Sequence, residues 1–178
     1  MSSGGASRRL FFALCPDEAL RDALVEGTRP VVRRIGGRPM AAENLHITLV
    51  FLGNVNGAQQ ACAEAVGDSV RAAPFELVLD RYGYFPRPQV FWLGPCAQPP
   101  MLLGLVKDLT AGLVACGYRP EARPYHAHLT LARKVRPPAA EFTAPGLTWA
   151  AAEFCLVESL STPAGVRYPI LRRWALRA

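Results

Sequence analysis

The chain is nearly without lysine and histidine. Lys107 and Lys134 are its only lysines, so a net charge of +6 is carried by arginine, and His46, His126 and His128 are its only imidazoles. The cations are scattered (Arg33, Arg34, Arg38, Arg87, Arg119, Arg136) and form no basic tract. Arginine's planar fork nonetheless suits bidentate contact with phosphate, so an anionic partner fits the charge balance. No C-x-x-C spacing occurs among Cys15, Cys62, Cys96, Cys116 and Cys155, which removes zinc ribbons and thioredoxin-like motifs. Five is an odd number, and most of these residues sit in apolar runs, where cysteine acts as a small core residue; a reduced, cytoplasmic compartment is expected. No stretch approaches the roughly 20 apolar residues that cross a bilayer, and the early run RLFFALC (9–15) is too short for a signal peptide. No membrane role is expected.

What is present is a globular composition, 51% hydrophobic and 19% charged over 178 residues. This fits one domain spanning 1–178, with 1–8 as a flexible start. RLFFALC reads as a buried strand. Pro16 and Asp17 end it and cap an amphipathic helix that Pro30 is expected to break. ENLHITLVFLG (43–53) reads as a second strand, 56–73 as a helix begun by Asn56 or Gly57, and 75–85 with 89–94 as a hairpin. Residues 99–117 open on prolines and close on Gly117, a helix signature. YHAHLTLAR (125–133) reads as a strand, and a last hairpin turns at TPAG. Helices interspersed among hairpins predict an α+β fold with antiparallel sheet.

Two of the three histidines open the same pattern. His46 is followed by Ile47 and Thr48, and 82 residues later His128 is followed by Leu129 and Thr130. Side chains two apart on a strand share a face, so each segment presents an imidazole beside a hydroxyl. Leu45, Ile47, Leu49 and Phe51 are expected to face the core. The offset is close to half the chain and suggests a degenerate duplication that brings the two pairs together across a pseudo-two-fold axis. No carboxylate or cysteine stands at ligand spacing, so no metal site is expected. A nucleophile elbow is also missing. Two imidazoles with neutral hydroxyls suit phosphodiester chemistry: one ring takes a proton from water, the other protonates the departing oxygen, and the threonines donate to phosphate.

ENLHITLVFLG and HAHLTLAR resemble the two H-apolar-T-apolar signatures of the 2H phosphoesterases, and the chain is similar to the RNA 2′,3′-cyclic phosphodiesterases of the LigT/ThpR type. RRLFFALCPDEAL resembles that family's first strand and helix, and SLSTPAGVRYPILRRWAL its closing hairpin. The resemblance implies a bilobal α+β fold of two antiparallel sheets with flanking helices and an active cleft between the lobes. It implies hydrolysis of an RNA terminal 2′,3′-cyclic phosphate to a 2′-phosphate, with no cofactor and no obligate protein partner. Transfer RNA fragments are candidate substrates, and reversible 2′-5′ RNA joining is linked to the family. His46 and His128 take the catalytic positions, and Thr48, Thr130 and Arg133 the phosphate-binding ones. Strict alternation, however, puts Arg133 on the face opposite Thr130 unless the strand twists or ends near Ala132.

Two departures stand out. Ala127 replaces a proline common before the second histidine, which is expected to loosen that entry, and Pro39 and Met40 stand where an aromatic is usual. Phe11, Phe12, Tyr84, Phe85 and Tyr125 are candidate surfaces for base stacking. Competing readings are a 2H enzyme for a small cyclic phosphate or a 2′-5′ oligonucleotide, and a non-catalytic RNA-binding module.

Overall fold

The computed structural model describes residues 7–178. In chain order the elements are β1 (Arg8–Leu14), α1 (Glu18–Ile35), β2 (Arg38–Pro39), β3 (Ile47–Val55), α2 (Gly57–Ser69), β4 (Phe75–Leu79), β5 (Arg81–Phe85), β6 (Val90–Gly94), α3 (Pro100–Val114), β7 (Leu129–Arg133), β8 (Leu147–Ala151), β9 (Glu153–Glu158), β10 (Leu160–Thr162), β11 (Gly165–Arg167) and β12 (Ile170–Ala175). The expected flexible start falls mostly outside the described residues; Arg8 already opens β1.

The α+β, antiparallel architecture expected from the sequence is what forms. One eight-stranded sheet runs β12-β9-β1-β3-β7-β6-β5, with β2 paired to β7, and two-stranded sheets form from β10-β11 and β4-β8. Each half uses the same connectivity: β1 and β3 are antiparallel neighbours joined through α1, and β6 and β7 are antiparallel neighbours joined through α3. The halves meet edge to edge at one antiparallel pair, Ile47 with Leu129. At that pair the two H-apolar-T segments run antiparallel to each other.

The core lies under the sheet. Leu10, Phe12 and Leu14 of β1, with Leu102, Leu105, Leu109 and Leu113 of α3, are fully buried, each contributing about 1.5–3 kcal/mol. Helix starts follow their sequence signals. Asp17 Oδ1 accepts from Leu20 N–H at 2.8 Å, Asn56 and Gln59 form a reciprocal capping box, and Pro100 opens α3.

Pro30 does not break α1, because the turns beyond it carry Val31, Val32 and Ile35 against the core and packing outweighs the lost hydrogen bond. The 75–85 run is two strands. Phe75–Leu79 alternates buried and exposed residues and pairs with β8, and only Arg81–Phe85 forms the hairpin with β6. The cysteines are not all free: Cys62 in α2 and Cys116 beyond α3 are joined in a disulfide, a link that their 54-residue separation does not announce. Among the described residues, no helix is long and apolar enough to cross a membrane.

Candidate active site

His46 and His128 each precede the residue at which the lobes pair, Ile47 and Leu129 respectively. Continuing that antiparallel register by one residue sets His46 opposite Thr130 and Thr48 opposite His128. Cross-strand neighbours of this kind have Cβ atoms about 4.5–5.5 Å apart. On that register the four side chains would make a quadrilateral, histidine diagonal to histidine, and His128 is near enough to His46 for its charge to lower that ring.

The two rings are held alike. The carbonyl of Asn44 lies 2.7 Å from His46 Nδ1, and the carbonyl of His126 lies 2.8 Å from His128 Nδ1. A carbonyl can only accept, so Nδ1 carries the proton in each ring and Nε2 is left as the exchangeable position. His46 Nε2 accepts the Thr48 hydroxyl at 3.2 Å. The role of His126 in this frame is its backbone carbonyl.

Aromatic rings wall both imidazoles. Phe11 and Tyr168 each lie 4.9 Å from His46, and Phe85 stands edge-on to His128 at 5.0 Å with Trp92 at 6.2 Å. Tyr168 is brought there by the closing hairpin, which Asn44 anchors through a 2.8 Å bond from Nδ2 to the Val166 carbonyl. Burial is accordingly the main electrostatic influence. It holds His46 down at about 4, against the Asn44 carbonyl, with Arg133 and His128 adding repulsion. His128 is also lowered by burial, opposed by the His126 carbonyl, with His126, Arg123 and Arg133 adding positive charge.

The lowered His46 value has a consequence for stability. The unfolded chain binds a proton near pH 6.5 where the folded chain does not, so this contribution is present above about 6.5 and is lost as pH falls towards 4. Denaturant titrations at about pH 7 and about pH 4.5 are expected to show a loss on the order of a few kcal/mol, smaller in His46→Gln. An equal loss in both proteins would place the acid sensitivity elsewhere.

Arg133 reaches the Thr130 face through a β-bulge. Along β6, Trp92 pairs with Thr130 and Val90 with Arg133, with Leu131 as the extra residue. Val90 and Trp92 share a face, so Thr130 and Arg133 do too, while Leu131 and Ala132 both turn into the core at 3% and 0% exposure. The alternation that set Arg133 apart is reset within the strand.

β3 repeats the device. Along β1, Phe11 pairs with Phe51 and Ala13 with Thr48, and Leu49 and Val50 are both buried. Phe51 therefore leaves the core, against expectation, and is 38% exposed on the Thr48 face with Arg9 4.8 Å from its ring centroid. Position for position, Phe51 is to His46 what Arg133 is to His128. The signal in the sequence was the shared offset: each lies five residues after its histidine.

A cleft of about 650 Å³ opens beside these strands, lined by Thr48, Phe51, Phe85, Tyr125 and His128 together with Arg9 and Arg123. Of the stacking candidates, Phe85 and Tyr125 face it. Phe11 and Phe12 are buried, and Tyr84 donates to the Val135 carbonyl. His46 does not line this cleft but borders a smaller space of about 90 Å³ with Asn44 and Tyr168. We take the larger cleft as the substrate-sized one, since it contains both a hydroxyl and an imidazole of the quadrilateral.

The entry to the second motif is braced, not loosened. Gln98 Oε1 accepts from Ala127 N–H at 2.7 Å and Gln98 Nε2 donates to the Tyr125 carbonyl at 3.1 Å, so one side chain clamps both ends of the turn. The N–H that a proline would lack is thereby satisfied. Tyr125 in turn donates to the Thr48 carbonyl at 2.9 Å, tying the two motifs together; its burial pushes the phenol up and keeps it a donor.

A family model described as the 2′-5′ RNA ligase superfamily matches residues 16–162. The chain belongs to that superfamily. Within it, the chain is 34% identical over 171 residues to the RNA 2′,3′-cyclic phosphodiesterase of Escherichia coli K12, covering 95% of this chain and 97% of the relative. Its fold is similar to that of the crystal structure of E. coli LigT in apo form, at a TM-score of 0.89 and 32% identity over 97% of this chain and 99% of that one. The same LigT complexed with 3′-AMP matches at 0.89 and 32%, over 96% and 99%. The superfamily assignment agrees with the resemblance carried by the two H-apolar-T-apolar segments.

Proposed function

We propose that the protein hydrolyses RNA terminal 2′,3′-cyclic phosphates to 2′-phosphates by acid–base catalysis between His128 and His46. The observation that carries this reading is the pairing of Ile47 with Leu129, which sets the two H-apolar-T segments side by side, with Nδ1 of each ring committed to a carbonyl. A ribonucleotide substrate agrees with the name of the E. coli relative and with the 3′-AMP in the E. coli LigT complex.

In the step proposed, His128 Nε2 accepts a proton from water as the water oxygen attacks phosphorus. The P–O3′ bond breaks, and His46 Nε2–H delivers a proton to O3′, leaving a 3′-hydroxyl and a 2′-phosphate. The assignment of His46 as acid and His128 as base follows the family resemblance, and in both rings Nε2 is the position free to exchange a proton. Arg133 and the two threonine hydroxyls stabilise charge gathering on the phosphate oxygens. An anion between these groups offsets the positive charge of Arg133, which adds to the burial that lowers both rings.

Among the described residues, no three His, Cys, Asp or Glu side chains cluster as metal ligands. Because the proposed step uses imidazole, hydroxyl and guanidinium groups alone, an oligonucleotide ending in a 2′,3′-cyclic phosphate is expected to be opened at an undiminished rate in EDTA, giving the 2′-phosphate. Loss of turnover in EDTA with rescue by zinc, magnesium or manganese would overturn the mechanism, and a 3′-phosphate product would reverse the leaving group. The same oligonucleotide mixed with a 5′-hydroxyl acceptor tests for 2′-5′ joining.

Phe51 is the surface we assign to the terminal base. Stacking contributes about 1–3 kcal/mol per base, so Phe51→Ala is expected to lower kcat/KM by about tenfold, with all four terminal bases affected alike. A loss confined to one base would point to edge recognition instead of stacking.

A further inference from the structure

We propose that Arg9 holds the phosphodiester on the 5′ side of the terminal nucleotide, and so sets the preference for a polynucleotide over a mononucleotide. The proposal rests on the cyclic phosphodiesterase reading above and adds a subsite to it.

A terminal ribose projects in three directions: the cyclic phosphate from C2′ and C3′, the base from C1′, and the rest of the strand from C4′. The site described accounts for the first two, by the histidine–threonine quadrilateral with Arg133 and by Phe51. The third must run along the same cleft. Two cations line it beyond the reacting centre, Arg9 and Arg123. Arg123 already has a carboxylate partner, Glu121, at 2.8 Å. Arg9 has no carboxylate partner among the described residues, whereas its neighbour Arg8, pointing the other way from β1, is paired with Glu158 at 3.5 Å.

The guanidinium of Arg9 rests on the Phe51 ring at 4.8 Å. A cation over an aromatic face is stabilised by about 0.5–1 kcal/mol at an exposed site, so it is stored beside the platform and is cheaply released from it. A charge-assisted bond to phosphate is stronger. With a base on Phe51, the guanidinium flanks the stacked nucleotide, within side-chain reach of the phosphate attached to its 5′ carbon. A nucleoside 2′,3′-cyclic phosphate has no group there for Arg9 to hold.

The test compares Arg9→Ala with the parent protein on three probes: a nucleoside 2′,3′-cyclic phosphate, the same nucleotide with a 5′-phosphate, and a trinucleotide ending in the cyclic phosphate. The expected result is a loss of about tenfold in kcat/KM on the second and third probes, with less than about twofold on the first. Arg9→Lys should recover part of it. The salt dependence of kcat/KM on the trinucleotide should become shallower by about 0.7 in log–log slope for Arg9→Ala. Arg29→Ala, an equal charge change on the exposed side of α1, should leave it unmoved. Equal losses on all three probes would overturn the proposal, because they would assign Arg9 to fixing Phe51 alone. No loss on any probe, or an equal change of slope in Arg29→Ala, would overturn it too. Failure of the parent protein to open any of the probes would instead overturn the cyclic phosphodiesterase reading itself.

Discussion

His46→Ala and His128→Ala are each expected to lower turnover of a cyclic-phosphate-ended oligonucleotide by roughly 10² to 10⁴ while the protein stays folded. Removing both rings should cost less than the product of the separate losses, since neither completes the reaction alone. The structure also moves the pH profile. Unperturbed imidazoles would put both limbs near 6.5, but burial lowers both rings, His46 to about 4. The profile of kcat/KM, which reports the free protein, should therefore peak on the acid side of 6.5. That of kcat should peak higher, because bound phosphate restores proton affinity to rings facing Arg133. His126→Ala is the internal comparison. Alanine keeps the backbone carbonyl that holds His128 Nδ1, so most activity should remain. If His126→Ala abolishes turnover while His46→Ala does not, the paired motifs are not the catalytic pair.

Gly83→Ala is expected to be the most damaging single methyl group near the site. Gly83 pairs directly with Trp92, and a Cβ there would lie 1.9 Å from Trp92 Cζ2 and 2.3 Å from Cε2. These are atoms of an indole ring that is only 4% exposed, so relief requires the indole to leave its place. Overpacking of this kind costs about 1–3 kcal/mol or more, equivalent to a fall of several degrees in Tm for a chain of this size. Trp92 also supports His126 at 5.0 Å and lies 6.2 Å from His128, so turnover should fall by more than the loss of folded protein explains. A thermal melt by circular dichroism and turnover measured below the transition separate the two effects. An unchanged melt with unchanged turnover would mean that the indole does not depend on the open space at Gly83.

What was legible in the sequence was what local rules govern. The caps at Asp17 and Asn56, the proline opening α3, and the shared face of His46 with Thr48 all follow from period and hydrogen-bonding chemistry. What was not legible depended on partners distant in the chain. The bulges at Leu49 and Leu131 exist only relative to β1 and β6, so strict alternation misassigned Phe51 and left Arg133 on the wrong face. Pro30 was outvoted by packing beyond it. The compensation for Ala127 came from Gln98, 29 residues earlier, and nothing at position 127 points there. The Cys62–Cys116 disulfide likewise requires α2 and α3 to be neighbours before the spacing means anything.

The matching bulges have a consequence for direction. A site built around a local two-fold axis would accept a strand in either of two orientations, because rotation exchanges His46 with His128 and Thr48 with Thr130. The fifth residue after each histidine breaks that equivalence: one lobe offers a flat hydrocarbon ring, Phe51, and the other a fixed positive charge, Arg133. A nucleotide, with a flat base at one end and an anion at the other, fits one way round. On the proposed reading, the polarity with which an RNA end is read would be set at this one corresponding position of the two halves, and exchanging the two residues would ask the same scaffold to read it backwards.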